Sequence, residues 1–423
     1  MRNNINSSEN KWLLFWLFVA ICGPIIQGLF RSIHMDTIST AASYIDEIFV
    51  IILLIYTMIS KSFHKAKPLL LAIVLLYVVG LISGANSKFT WVTNSLGAFN
   101  NLKSFIVCLC FCQYTFSKKD FLNFGKKFIY FFPVIVLSYI VEFCIPSFRS
   151  AVLDFGNQGV SYRMGLRLLG GIFPTYTYAS LWGLVMYVLY TIYFPFGRVI
   201  RFKRVFSAFM IFATIKVKDI VAFCLTNAIL FSKKLKPYYI LVFGIIAVML
   251  FELYQVLLPE HYNIYFGEDS DDAIRNIMNV TSIKIADDFF PLGVGWGKFG
   301  SATSAQIYSE IYNNYGIEGL WGLNYETNHS FMQDNQLPMF FGETGYLGTL
   351  LFFFILYYVF KPFIIGFFKN TRDFRFAMPA SLFIYFLVCI IGKPVFVAVP
   401  HSFVIWGVAG IFYSISKHNN NAL

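Results

Sequence analysis

DNQLPMFFGETGYLGTLLFFFILYYVF (residues 334–360) passes abruptly from a polar pair, Asp334-Asn335, to an apolar run that continues to Phe360. A bilayer core takes about 20 helical residues to cross. The run 338–360 supplies them, so this stretch reads as a transmembrane helix entered from a polar loop. Asp and Asn are favoured helix N-caps, and Asp334 is read either as a cap for the helix beginning near Gln336 or as a functional acid. Glu343 lies inside the run, where an unpaired carboxylate is costly. It is therefore expected to face the protein interior and to have a partner.

Outward from this stretch the chain repeats the pattern. Of its 423 residues 57% are hydrophobic and 13% charged, against roughly a quarter charged in soluble domains, and the mean hydropathy is +0.64. Phe and Tyr are abundant, as suits aromatic belts at membrane interfaces. This composition excludes a soluble globular enzyme. Apolar runs are drawn at 12–30, 38–60, 68–84, 92–116, 121–144, 171–194, 200–215, 217–232, 237–257, 338–360, 377–391 and 395–415. The expected fold is an all-α polytopic membrane protein of about 12 transmembrane helices. Nine spans occupy 1–257, one long loop 258–337, and three spans 338–423. No small-x-small cleavage site follows the first run, so a cleavable signal is not expected.

Segment 258–337 is the only long polar stretch between hydrophobic runs, and it carries many acids but only Arg275, Lys284 and Lys298 as bases. Short loops suffice to join spans, so a segment this long is expected to carry function. With both termini inside, most basic residues fall in short inner loops, among them Lys61, Lys65, Lys118, Lys119, Arg201, Arg204, Lys361 and Arg375. By the positive-inside rule the long loop then faces outward. The net charge of +11 is accordingly topogenic, and no basic tail or basic-aromatic stripe supports nucleic acid.

Cations on the outer side run against that bias. They include Arg31, Lys88, Arg149, Arg163, Arg167, Lys216, Lys218, Arg275 and Lys393. As a set they suggest an anionic ligand such as a lipid-linked phosphate; any one of them could instead pair with a loop acid or a lipid headgroup. Asp46, Glu47, Lys103, Glu142 and Glu252 lie within spans and are candidates for structural pairs. The cysteines lie in or near apolar runs and form no disulfide framework, and no HxxxH or HExxH spacing occurs, so a metal site is not expected. PLGVGWGKFG (291–300) is the most patterned part of the loop. Outside the cell there is no nucleotide for a phosphate-binding turn, and no βαβ unit surrounds it. It reads instead as a turn that lets backbone approach a ligand or a surface.

The order Arg275, then PLGVGWGKF, then DNQLPMFFGETGYLG leading into a span resembles the C-terminal signature of bacterial O-antigen polymerases and ligases. In that family an Arg precedes a P-x-G-x-G-x-x-x-F stretch, and an H/D-N pair opens a helix ending in E-x-G-x-x-G. YRMGLRLLGGIFPTYTYA and NNLKSFIVCLCF are similar to further family segments. The family's T-x-S-R is replaced here by Thr214-Ile215-Lys216-Val217-Lys218.

The resemblance implies a membrane glycosyltransferase of the multi-span GT-C type in the bacterial inner membrane. It would act at the outer face on sugars carried by undecaprenyl diphosphate, with no cofactor, nucleotide sugar or metal. A chain-length regulator and a flippase are the protein partners it brings to mind, beside membrane lipid. Ligases usually show His where this chain has Asp334, which favours a polymerase of O-antigen, capsule or exopolysaccharide. His329, five residues earlier, is the other candidate base. A departing diphosphate develops negative charge that fixed cations stabilise; Arg163, Arg167, Arg275, Lys216 and Lys218 are the candidates, with Asn335 beside them. Asp334, then His329 and Glu343, are the candidates to accept or orient the acceptor hydroxyl. A ligase-type transferase is the alternative. A lipid-linked oligosaccharide flippase is a third, although transporters usually show two related halves and none is evident here.

Overall fold

The computed structural model describes residues 2–85, 91–152, 161–163, 165–195, 197–231, 274–326 and 331–420. The run 237–257, Glu252 and His329 lie outside these. Each expected run that falls on described residues is helical over most of its length, with turns at 112–116, 171–175 and 395–400. In chain order the helices are α1 (Arg2–Ser32), α2 (Asp36–Ser43), α3 (Ile45–Ser60), α4 (Lys67–Gly84), α5 (Trp91–Phe111), α6 (Lys118–Tyr130), α7 (Phe132–Cys144), α8 (Tyr176–Val188), α9 (Arg198–Phe212) and α10 (Val217–Phe231). The polar segment contributes α11 (Ile274–Asp288), α12 (Ala302–Ile307) and α13 (Ile311–Asn314), and three long elements close the chain: α14 (Gln336–Lys369), α15 (Ala377–Cys389) and α16 (His401–Asn420). Among the described residues the sheet content is one two-stranded antiparallel ribbon, Tyr162–Arg163 against Leu166–Arg167, with Arg163 opposite Leu166.

Among the described residues four stretches are long and apolar enough to cross a membrane: Ser8–Ser32, Lys67–Gly84, Lys118–Cys144 and Gln336–Lys369. The pair α2–α3, bent by 42°, makes a fifth if counted as one span. These are the features of a multi-pass membrane protein; among the described residues they number fewer than the twelve spans expected, one of which, 237–257, lies outside those residues. The shortfall has physical causes. Helix α9 has 15 residues, which at ~1.5 Å per residue reach about 22 Å, less than a hydrocarbon core of about 30 Å. Helix α5 is long enough, but Asn94, Asn101 and Lys103 are buried along it. Helix α8 has 13 residues, about 20 Å, and every one of them is buried against protein.

The interior is aromatic. Trp182 on α8 packs against Phe18, Phe128, Phe131 and Phe173, and Phe105 meets Trp406 edge to face at 4.8 Å. A buried charge set ties α5 to α3: the Lys103 ammonium binds Asp46 and lies 2.5 Å from Glu47 Oε1. Buried charges persist only when paired in this way, and the expectation of structural pairs within the spans holds here. Glu142 is also occupied, accepting the amides of Gly170 and Gly171 at 2.9 and 2.6 Å.

One break positions the polar segment. Gly345, at φ 64° and ψ −162°, interrupts α14. A Cβ there would lie 2.1 Å from the Leu292 carbonyl oxygen, so glycine is required both for the left-handed backbone and for the approach. The patterned turn docks across this break. Val294 N donates to Gly342 O at 2.9 Å, Gly295 N to Glu343 O at 2.8 Å, and Leu347 N to Pro291 O at 3.2 Å. The turn thus approaches a helix of its own chain.

Candidate active site

Arg275 lies in the first turn of α11, and Asp334 immediately precedes the start of α14. Arg275 Nη2 donates to Asp334 Oδ2 at 2.9 Å, with about a third of each side chain exposed (34% and 30%). Asn335 Nδ2 donates to the Arg275 carbonyl oxygen at 3.4 Å. The N-cap position of α14 belongs to Asn335, whose side chain makes no capping bond. Asp334 is therefore not the cap, and its carboxylate is engaged with a guanidinium at a water-accessible corner.

Close by, α9 and α10 are joined by a tight turn in which Ile215 adopts φ 47°. A β-branched residue in the left-handed region is strained, and such strain concentrates where a fold must present particular groups. Here the turn presents Lys216 and Lys218. Lys216 Nζ donates to Thr177 Oγ1 at 2.7 Å, and Lys218 Nζ to the Gly392 carbonyl oxygen at 2.7 Å. Lys393 follows Gly392 directly, between α15 and α16, and is half-buried. The amide of Phe396 in the same connection donates to Gln336 Oε1 at 3.1 Å, tying it to the residues next to Asp334.

The charges of these groups act on one another. Burial pushes the Lys216 ammonium down to about 8; Lys218 and Arg163 push it the same way, while Asp219 and Asp334 oppose. Burial likewise pushes Lys393 down to about 8, reinforced by Lys216 and Lys218 and opposed by Asp219 and Asp334. Desolvated cations crowded this closely are stabilised by an arriving anion. Arg163 is exposed at the rim, its Nη1 3.4 Å from the Ile215 carbonyl oxygen.

Of the residues singled out from sequence, Arg275, Asp334, Asn335, Lys216, Lys218 and Arg163 are thus brought to one end of the bundle. Arg167 is engaged elsewhere. Its Nη2 donates to the carbonyl oxygens of Glu142 and Pro146 at 2.5 and 3.1 Å, closing the C-terminus of α7. Arg149 is buried, donating to Phe173 and Pro174 carbonyls and stacking on Tyr176. Glu343 faces the interior, as expected, with partners: Asn101 Nδ2 donates to its Oε2 at 2.9 Å, and Phe299 N to its Oε1 at 3.2 Å. The buried Lys298 is close enough for Glu343 to raise its affinity for a proton, although burial dominates and pulls Lys298 down to about 8. Fully buried, Glu343 holds the 291–300 turn rather than lining open space.

Sequence placed Lys393 only in the wider set of outer cations, not among the residues expected to hold the diphosphate. Its sequence signal was weak, a lone outer cation between two spans, and only packing puts it beside Lys216 and Lys218. His401 lies below, its Nε2 3.3 Å from the Thr177 carbonyl oxygen. Among the described residues no group of three or more His, Cys, Asp and Glu side chains could hold a metal ion. The arrangement can bind a multiply charged anion with three ammonium groups and a guanidinium, beside an ion-paired carboxylate able to accept a hydroxyl's hydrogen bond. No protein-family model matches this chain, and no curated protein matches it.

Proposed function

We propose that this chain is a membrane glycosyltransferase that extends a glycan carried on a lipid diphosphate, acting at the outer face of the bacterial inner membrane. The observation that carries the reading is the Arg275–Asp334 ion pair set beside Lys216, Lys218 and Lys393. Its residues come in the order of the O-antigen polymerase signature that the sequence resembles.

In the proposed reaction the acceptor hydroxyl oxygen attacks the anomeric carbon of the donor glycan. The anomeric C–O bond to the diphosphate breaks, and the diphosphate leaves with the electron pair. Lys216, Lys218, Lys393 and the rim Arg163 offset the charge that grows on it, as fixed cations do at developing oxyanions. Asp334 accepts the hydrogen bond of the attacking hydroxyl, orients its lone pair toward the anomeric carbon and takes its proton. Arg275 fixes the carboxylate in that position through a charge-assisted bond.

The test is deletion of the gene followed by gel analysis of the surface glycan. Single repeat units left on the anchor support polymerisation. Long chains stranded on the carrier lipid would point to a ligase, and loss of all outer-face glycan to a flippase.

A further inference from the structure

Large aromatic side chains stand exposed on the polar segment. In the turn 319–326, Trp321 is 65% exposed and Tyr325 is 59% exposed. Glu318 and Glu326 flank them in sequence, and carboxylates so placed are costly to immerse in lipid. Neither ring hangs loosely. Trp321 packs edge to face on Phe331 with centroids 5.2 Å apart, and Phe331 N donates to the Gly322 carbonyl oxygen at 3.1 Å. Tyr325 rests against Tyr308 at 5.2 Å. The Tyr308 hydroxyl donates to the Leu323 carbonyl oxygen at 3.0 Å, and its ring stacks on Tyr312, which stacks in turn on Phe299. Tyr308 itself sits at φ 51°, a costly conformation for a bulky residue.

Two further observations orient this patch. Phe331 accepts the amide of Asp334 at 3.1 Å through its carbonyl oxygen, so one short turn links the ring under Trp321 to the carboxylate of the candidate site. Glu326 is exposed and Glu318 partly exposed, and the charge of Glu318 acts on Tyr308. A braced aromatic surface bordered by water-accessible carboxylates suits a ligand with C–H faces and hydroxyl donors. A phosphate would be repelled by Glu318 and Glu326, and an acyl chain would leave both carboxylates unsatisfied.

We infer that Trp321 and Tyr325 form a glycan-binding platform, with Glu318 and Glu326 accepting sugar hydroxyls, that holds the lipid-linked chain next to Asp334. This rests on the glycosyltransferase reading above and adds the subsite that grips the sugars. It is tested with the full-length protein in nanodiscs, titrated calorimetrically with glycan fragments released by mild acid from the surface polysaccharide of the cells that make it. Trp321→Ala weakens binding about ten-fold or more, the loss of one stacked aromatic contact with its buried area. Trp321→Phe keeps most of the affinity, and both variants elute as the wild type does. Equal affinity for wild type and Trp321→Ala overturns the platform; the transferase reading then still stands if Asp334→Asn abolishes extension. A wild-type protein that binds no fragment, together with unchanged surface glycan after gene deletion, overturns both. In a variant whose six other tryptophans are replaced by Phe, quenching of Trp321 emission by brominated lipid tails places the turn in the bilayer and also overturns the platform.

Discussion

Arg275 and Asp334, 59 residues apart in the chain, meet at 2.9 Å, and Asp334 stands one residue ahead of the N-cap of the helix it introduces. That register separates two readings of the carboxylate that the sequence left open. A cap would be spent on the backbone amides of the first helical turn. This carboxylate is held by a guanidinium beside a cluster of ammonium groups.

Replacing Asp334 by Asn is expected to abolish chain extension in a protein that still folds. The amide keeps the shape but cannot take a proton. The pair is about a third exposed, so its loss should cost no more than about 1 kcal/mol of stability. Arg275→Ala is expected to be equally inactive and Arg275→Lys partly active, because an ammonium lacks the planar fork. Gel ladders, with protein level checked by immunoblot, decide this. Full-length ladders from a well-expressed Asp334→Asn variant would remove it from the chemistry.

The lysine cluster has a pH signature of two opposite signs. Lys216 and Lys393 sit near 8 in the folded protein against 10.5 for a free lysine. Between those values the unfolded chain holds more protons, so the free protein gains stability from these groups as pH rises through 8 toward 10.5. An anion needs the ammonium forms, so its affinity falls over the same range. Thermal unfolding with and without inorganic diphosphate at pH 6.5 and 9.5 reads both effects. A ligand-induced shift that is just as large at the higher pH, or that survives Lys393→Gln unchanged, would contradict the cluster.

Glu343 is expected to matter for the fold first. Glu343→Ala leaves the Phe299 amide and the Asn101 NH2 without their acceptor, buried donors whose unmet bonds cost about 1–3 kcal/mol each. Limited proteolysis should then cut the 291–300 turn faster, and Asn101→Ala should show the same effect more weakly. Unaltered protease resistance in both variants would argue against the clasp.

The orientation is tested at an exposed position of the polar segment. Ser301 is buried, whereas Asn314 is exposed. Asn314→Cys in a background without native cysteines should react with an impermeant maleimide in intact spheroplasts. Reaction only after the membrane is opened would reverse the proposed face.

The helical, apolar character of the chain was legible in its sequence, because the length and composition of an apolar run are local properties. The run 338–360 and its neighbours need no partner to declare themselves. The interior position of Glu343 could be read for the same reason: a carboxylate inside such a helix must find a donor. Where spans end was less legible. Burial inside protein permits polar residues such as Asn101 and Lys103 and short helices such as α9, and hydropathy alone cannot tell a protein environment from lipid. The site was legible only in part. Arg163, Lys216, Lys218, Arg275, Asp334 and Lys393 lie on five separate connections and helix ends, and their meeting depends on how α8, α10, α14, α15 and α16 pack. Tertiary structure alone turned Arg167 toward the carbonyls of α7 and brought Lys393 beside Lys216. It also put Asn335, not Asp334, at the head of α14, because side-chain direction and helix register follow from packing rather than from residue type.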